Sequence, residues 1–354
     1  MSTTAEPQTN ASGLPVEIDN LGRELKKLWE QGGEVMTRAS LINLAVYSED
    51  PNSLGENTHI VSEITREHAC RAIVIAADPN AATDRADAWI SAHCHTSRTG
   101  SKQVCSEQLS FALSGCYVRM LANVVFAHLD SDLPLYLWWQ GDLPDPIDPQ
   151  LWTWVERLIY DSALWTNFGK QMRLVETAQA EAHQRVVLCD LNWARLVQTR
   201  LAIAQFFDSP AACERLREID RVQITLAPGH RSTAILLVGW LAAQLGWRKP
   251  ATFGSTAIHF SDSFDNTIAV ALRQAEGETI GACSLFCGTS EYRVEHPTGA
   301  DLLSVSLYTD GQERMHQLMP TGSNDPVRLM REELMRGGPH RVYLRAVKAV
   351  RELI

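Results

Sequence analysis

The sequence lacks the compact motifs through which most enzymes reveal themselves. No glycine-rich turn of the dinucleotide or P-loop kind closes any strand-like segment, and such turns are what lets backbone N–H groups approach a phosphate. There is no Gly-x-Ser-x-Gly elbow, no His-Glu-x-x-His helix and no Cys-x-x-Cys pair. Together these absences argue against an enzyme, and no cofactor is expected. Long apolar runs are missing too. The longest, Ala234 to Ala243, is about half of a bilayer span and contains Gly239 and Trp240, so no membrane segment is expected. The opening residues hold no basic stretch followed by an apolar one, which predicts no signal peptide and a cytoplasmic protein. Positive charge is scarce: 32 Lys and Arg stand against 42 Asp and Glu, a formal net charge of −10. That balance works against nucleic acid, whose phosphates are held by clustered bases.

What remains is the composition of a globular protein. With 354 residues, 45% hydrophobic and 21% charged, the chain is long enough for two domains that each bury a core. Only the first dozen residues, with the polar run Ser2-Thr3-Thr4-Ala5-Glu6-Pro7, are poor in core formers. Eight cysteines in so long a chain do not make a disulfide scaffold and read mostly as buried thiols. Ten tryptophans exceed the usual needs of a core. Large core anchors are the plain explanation, and a sticky surface the more interesting one.

Periodicity predicts a helix over 16–31, a strand over 38–47, a helix from about Leu54 to His68 and a buried strand from Arg71 to Ala77. That is a βαβ unit and calls for a partly parallel sheet. A hairpin follows, Ala88–Thr96 and Gln103–Leu113 around a turn at 97–102. Next come a helix from Tyr117 to Leu129, a strand Pro134–Trp139, and helices at Leu151–Leu158 and Gly169–His183. A second half begins with a strand at Arg185–Cys189, a helix Asn192–Phe207, a strand Arg221–Ala227 and a helix Ser232–Leu245. From about Thr252 to Tyr308 short strands and turns read as an antiparallel meander, and Arg328 onward returns to helix. The expected architecture is two α/β domains, the first with a mixed sheet, the second ending in a meander and C-terminal helices. The domains are placed at 34–183 and 184–354, after an N-terminal segment 1–33 with one helix.

Several clusters carry chemistry on paper. His93 and His95 share a strand face, as a two-ligand metal platform requires, and would serve a metal-dependent hydrolase or transferase; a polar strand face explains them equally well. His230, Arg231 and Ser232 join a strand to a helix, where free N–H groups, a cation and a hydroxyl suit an anion such as a sugar phosphate, although Ser232 as a simple N-cap needs fewer assumptions. If the hairpin turn centres between Thr99 and Gly100, Cys94 and Cys105 lie directly opposite, with Cα atoms about 4.5–5.5 Å apart and within disulfide range. A reducing cytosol would keep them as thiols. Cys283 and Cys287 in one strand would be about 13 Å apart, too far to bond. Trp138 and Trp139 end an apolar strand and must point to opposite faces, so one of them is expected near a surface or seam. In the helix after Asp190, Trp193, Leu196, Val197, Leu201 and Ala204 form a core stripe, with Arg195 off it as a candidate contact. The basic excess between Arg328 and Glu352 would steer an acidic partner or solvate a helix face.

Four segments occur together in an order that resembles one family. They are Thr65-Arg66-Glu67-His68-Ala69-Cys70-Arg71, Leu133-Pro134-Leu135-Tyr136-Leu137-Trp138-Trp139-Gln140-Gly141, Asp190-Leu191-Asn192-Trp193-Ala194-Arg195-Leu196, and Leu236-Leu237-Val238-Gly239-Trp240-Leu241 with Leu245-Gly246-Trp247. The set, spread over residues from about 35 to about 310, is similar to the glucose-6-phosphate dehydrogenase assembly proteins, OpcA. The resemblance implies a non-catalytic partner and allosteric activator of that dehydrogenase, at the opening step of the oxidative pentose phosphate pathway. Trp138, Trp139, Trp193 and Arg195 are then the candidates for making or supporting the interface. In the photosynthetic branch, activation is linked to thiol state through thioredoxin. The cysteines of that branch lie near the C-terminus; here the nearest are Cys283 and Cys287, and Ala69 stands where the family pattern places proline.

Overall fold

The computed structural model describes residues 13–32, 36–96, 103–182, 185–249 and 258–353. The polar opening run, the hairpin turn at 97–102 and the expected boundary at 183 lie outside them. Two compact units interleave along the chain. The first holds Met1–Tyr160, Ala178–Cys189 and Pro326–Gly338; the second holds Asp161–Thr177, Asp190–Asp325 and Pro339–Ile354.

The first unit opens with strand β1 (Leu14–Val16), helix α1 (Leu21–Gly32) and strand β2 (Met36–Arg38). Leu21 and Leu25 bury one edge of α1. Strand β3 (Asn43–Ser48) is buried along its whole length and β4 (Arg71–Asp78) along all but its ends, the pattern of parallel strands covered on both faces. Helix α2 (Leu54–Thr65) crosses between them, and Asn43 pairs with Arg71 through to Ser48 with Ala76. This is the βαβ unit that the periodicity predicts. Strands β5 (Arg85–Thr96) and β6 (Gln103–Ser114) form the expected hairpin. The helix expected over Tyr117–Leu129 is broken into α3 (Cys116–Arg119), α4 (Leu121–Val124) and a 3-10 turn at Phe126–His128. Its β-branched Val118, Val124 and Val125 are weak helix formers. Strand β7 (Leu135–Trp139) follows, then the single turn α5 (Leu151–Trp154) and strand β8 (Val155–Tyr160). Here Leu151–Leu158 was expected to be helical. Its second half instead pairs in parallel with β7, Leu137 opposite Leu158, because a short apolar run takes whichever form the neighbouring edge rewards. Helix α6 (Phe168–Glu181) leads to strand β9 (Val187–Asp190). The sheet order is β1-β5-β6-β4-β3-β7-β8-β9, with β2 beside β6.

The second unit continues with α7 (Leu191–Arg195), α8 (Val197–Gln205), α9 (Pro210–Glu214), β10 (Ile219–Leu226) and α10 (Arg231–Leu245). Strands β11 (Ile258–Ser261), β12 (Thr267–Gln274), β13 (Ile280–Cys287), β14 (Ser290–Glu295), β15 (Leu302–Thr309) and β16 (Gln312–Pro320) complete a sheet ordered β11-β12-β10-β13-β14-β15-β16. Only β10 with β12 is parallel among the described pairs; β13 to β16 are the meander. Val222, Ile224, Cys283, Leu285, Tyr292, Val294, Leu303 and Val305 alternate along these strands into the core. Helices α11 (Pro326–Met335) and α12 (Arg341–Arg351) replace the single basic helix of the sequence reading. Gly337-Gly338-Pro339 separates them, with Gly338 at φ 73°. They go to different units: α11 packs on α2, while α12 lies along α10. Gly239 makes that approach close, since a Cβ there would meet the Val350 side chain and the Ala346 carbonyl oxygen, the latter at 2.9 Å. No described helix is long and apolar enough to cross a membrane.

Candidate functional site

In the second unit the segment Asp190-Leu191-Asn192-Trp193-Ala194-Arg195 folds into a polar knot. Asp190 ends β9 in an extended conformation and caps α7: its Oδ1 accepts from the backbone N–H of Asn192 at 2.9 Å. The same carboxylate accepts from the Ser162 N–H at 3.0 Å, the Ser162 hydroxyl at 2.7 Å and the Tyr343 hydroxyl at 3.2 Å. Asn192 Nδ2 donates to Ser162 Oγ at 3.0 Å, and the Thr233 hydroxyl donates to Asn192 Oδ1 at 2.8 Å. Residues from α7, α10, α12 and the 161–177 segment are thus tied to one buried acid. Burial pushes the Asp190 carboxyl up to about 7, helped by the Asp161 charge and opposed by the hydrogen bonds from Ser162 and Asn192.

Arg195 leaves the end of α7 and clamps Asp161 with two bonds, 2.7 Å and 3.2 Å, both side chains being nearly buried. His230 sits close enough to feel both charges. Burial, then Arg195, lower its pKa, while Asp161 raises it. His230 Nδ1 and Ser232 Oγ are buried atoms with no hydrogen-bond partner among the described residues, whereas Arg231 is exposed. His230 therefore lies near the Arg195–Asp161 pair, a neighbourhood that no spacing in the sequence shows.

The expected core stripe after Asp190 does not form as one helix. Leu196, at φ −83° and ψ −1°, separates α7 from α8, and the change of phase buries Ala202 and Ile203 while Leu201 is 53% exposed. Trp193 remains inside at 4% exposure, against the Tyr343 ring at 5.5 Å and beneath the Arg200 guanidinium at 3.4 Å.

The other sequence candidates lie in the first unit or on the meander. Trp138 and Trp139 are 5% and 6% exposed, because β7 lies inside a sheet covered on both faces. Trp139 stacks on Tyr47 at 4.0 Å and donates to the Asp142 carbonyl at 2.9 Å. None of the three indoles offers its face to a partner, so any role at an interface is to hold neighbouring backbone. Cys94 and Cys105 lie directly opposite on β5 and β6, with Cα atoms 4.0 Å apart, and are joined as a disulfide. Cys283 and Cys287 share β13, both buried, and burial pushes each thiol up to about 12. His93 Nε2 is engaged by Gln108 at 2.8 Å and His95 Nε2 by Thr65 at 3.2 Å, so each imidazole already has a hydrogen-bonding role.

The comparison with known families is decisive. Residues 61–177 match the family described as glucose-6-phosphate dehydrogenase subunit N-terminal domain, and residues 186–347 match its C-terminal domain. The chain belongs to the glucose-6-phosphate dehydrogenase assembly protein family, OpcA. Among OpcA relatives, the putative OxPP cycle protein of Nostoc punctiforme is 32% identical over 237 residues, 63% of this chain and 47% of that protein. The Synechocystis protein of the same description is 26% identical over 197 residues, 54% of this chain and 40% of that protein. The chain aligns with about half the length, or less, of these OpcA relatives. Among solved structures, an aldose-aldose oxidoreductase from Caulobacter crescentus covers 88% of this chain and 95% of its own at a TM-score of 0.46 and 8% identity, a likeness too distant to bear on chemistry.

Proposed function

We propose that this chain is a non-catalytic assembly factor and allosteric activator that binds glucose-6-phosphate dehydrogenase in the cytoplasm, at the opening step of the oxidative pentose phosphate pathway. The observation that carries the reading is the pair of family domains, matched in order over residues 61–177 and 186–347. The polar knot supports it. Asp161 and Arg195 satisfy each other, and the Asp190 carboxylate is held by Ser162, Asn192 and Tyr343, an arrangement suited to fixing a surface rather than to turnover. An activator must bind the active conformation of its partner more tightly than the inactive one. A coupling of about 1–3 kcal/mol changes substrate affinity roughly 5–150-fold. Trp138 and Trp139 in the first unit, and Trp193 with Arg195 in the second, are the candidates for supporting, each within its own unit, a surface that docks the partner. The Cys94–Cys105 disulfide is the bond that a thioredoxin dithiol would reduce, becoming a disulfide itself. The test is to mix the chain with the dehydrogenase from the same source and to measure co-elution and substrate dependence, with and without reductant. Failure to co-elute and unchanged kinetics under both conditions refute the reading.

A second reading rests on the unpartnered His230 Nδ1 and Ser232 Oγ, which with Arg231 would hold a sugar phosphate that the chain senses. A ligand specific for the native state raises the melting temperature. A shift with glucose 6-phosphate that disappears in Ser232→Ala would support this reading.

A further inference from the structure

The sheet of the second unit has two unlike faces. Its inner face carries the core residues of β10 and of β13 to β15, with α10 against β10 and α8 against β14 and β16. Phe206 and Phe207, at the end of α8, stack on Tyr292 of that face. The outer face is open: Arg221, Gln223, Ala271, Arg273, Glu295 and Leu318 are exposed along it. Register sets its side chains in rows across the strands. One row runs Ala269, Arg221, Phe286, Glu291, Tyr308, Glu313. Another, further along the strands, runs Arg273, Thr225, Ala282, Glu295, Ser304, Leu318. Strand β13 is the middle one of the sheet, and its outward residues are Ala282, Ser284 and Phe286. The Arg221 guanidinium lies on the Phe286 ring at 4.0 Å. Arg293 pairs with Glu291 at 2.9 Å, and Glu313 is 3.9 Å from His316 Nδ1. Arg221, Arg273 and Glu295 form no salt bridge among the described residues. The unpaired cations thus stand on β10 and β12, to one side of β13, and the carboxylates Glu291, Glu295 and Glu313 on β14 and β16, to the other. None of the seven strands contains a lysine.

We propose that the outer face of this sheet is an interface on which two copies of the chain pair face to face. A two-fold axis lying along β13, midway between the two sheets, carries β10 and β12 of one copy over β14 and β15 of the other and keeps each row at its own height. Arg221 then stands over the second copy's Glu291, and Arg273 beside its Glu295. Each contact occurs twice, as a self-complementary patch requires. An axis running across the strands would instead set Glu291 against Glu295. The small Ala282 and Ser284 let the sheets close to the usual separation of about 10 Å, with Phe286 filling the middle. Seven strands about 4.8 Å apart and about 20 Å long give a face of about 600 Å², about 1,200 Å² for the pair, at the lower end of stable interfaces. Arginine and aromatic rings without lysine are the composition of such a contact, whereas a face left to water needs no sorting of charge about its middle strand. Pairing of copies is separate from binding of the dehydrogenase, and its test needs none.

The experiment is sedimentation velocity of the full chain over a range of micromolar concentrations. It is repeated on Ala282→Arg, Arg273→Glu, Glu295→Arg and an equal mixture of the last two. The expected result is a dimer for the wild type. Ala282→Arg brings two cations together at the axis, and each single charge reversal opposes like charges twice, so each should weaken the dimer about tenfold or more. Arg273 and Glu295 are exposed and Ala282 is half-buried, so thermal melts of the monomeric variants should show an intact fold. In the equal mixture each reversed side chain meets its opposite charge, and the dimer should return. A wild type that stays monomeric at high micromolar concentration overturns the proposal. So does a dimer that Ala282→Arg leaves intact, or a mixture of the two reversed chains that stays monomeric. A monomeric wild type whose co-elution with the dehydrogenase is abolished by Ala282→Arg would assign the face to that partner and refute the pairing.

Discussion

Asp190 is the residue on which the second unit turns, and its environment makes a pH prediction. The carboxyl titrates near 3.8 when solvated and near 7 in the fold, so the folded chain holds a proton that the unfolded chain has already released. A raised folded pKa contributes stability that is fully present below the unfolded value and is lost as pH rises through the folded one. Urea midpoints of the wild type, taken relative to Asp190→Asn, should therefore fall between about pH 4 and pH 7 and level off above that, whereas a flat difference would show that Asp190 is ionised throughout. Arg195→Ala has a different cost. It strands the nearly buried Asp161 carboxylate, and loss of one partner of such a pair costs about 3 kcal/mol. Arg195→Lys keeps the charge but not the two-pronged geometry and should recover only part of that loss in the same urea titration.

Single elements set the next level of behaviour. The disulfide between Cys94 and Cys105 closes a loop of sequence separation 11 on the β5–β6 hairpin. Chain-entropy arguments give such a loop about 3 kcal/mol, so Cys94→Ala with Cys105→Ala should lower the melting temperature to that of the reduced wild type. A double variant as stable as the oxidised protein would show that pairing across the strands alone holds the hairpin. The contact of α10 with α12 depends on a missing side chain. Gly239→Val drives methyl groups into Val350 and the Ala346 carbonyl and should cost about 3 kcal/mol by denaturant unfolding. The same substitution at Gly55, where a Cβ would meet nothing within 4 Å, should cost far less.

At the scale of the whole chain the interleaving of the units matters most. Leu329 and Met330 of α11 are buried in the first unit, Glu333 lies 3.5 Å from Arg157, and Arg331 is paired with Glu67 at 3.1 Å. A fragment ending at residue 183 therefore lacks α11 and β9, and leaves Arg157 without Glu333. Expressed alone, residues 1–183 should be insoluble or expanded, and co-expression with 184–354 should recover both pieces. A monodisperse, cooperatively melting 1–183 fragment would contradict the interleaved arrangement.

The features whose physics is local could be read along the chain. The βαβ unit of β3, α2 and β4, the hairpin register that sets Cys94 against Cys105, the meander and the family all follow from periods, turns and ordered segments. Periodicity decides an element when one face is buried along its whole length, as in β4. Tertiary structure decided the rest. The Leu151–Leu158 run became a turn and a strand because β7 offered an edge, and the stretch after Asp190 broke at Leu196 and changed phase. Nothing local joins Asp190 to Ser162 and Tyr343, 28 and 153 residues away, or Glu107 to Trp29, 78 residues away. A buried charge has to find its partners wherever the fold brings them, and separation along the chain carries no trace of that search.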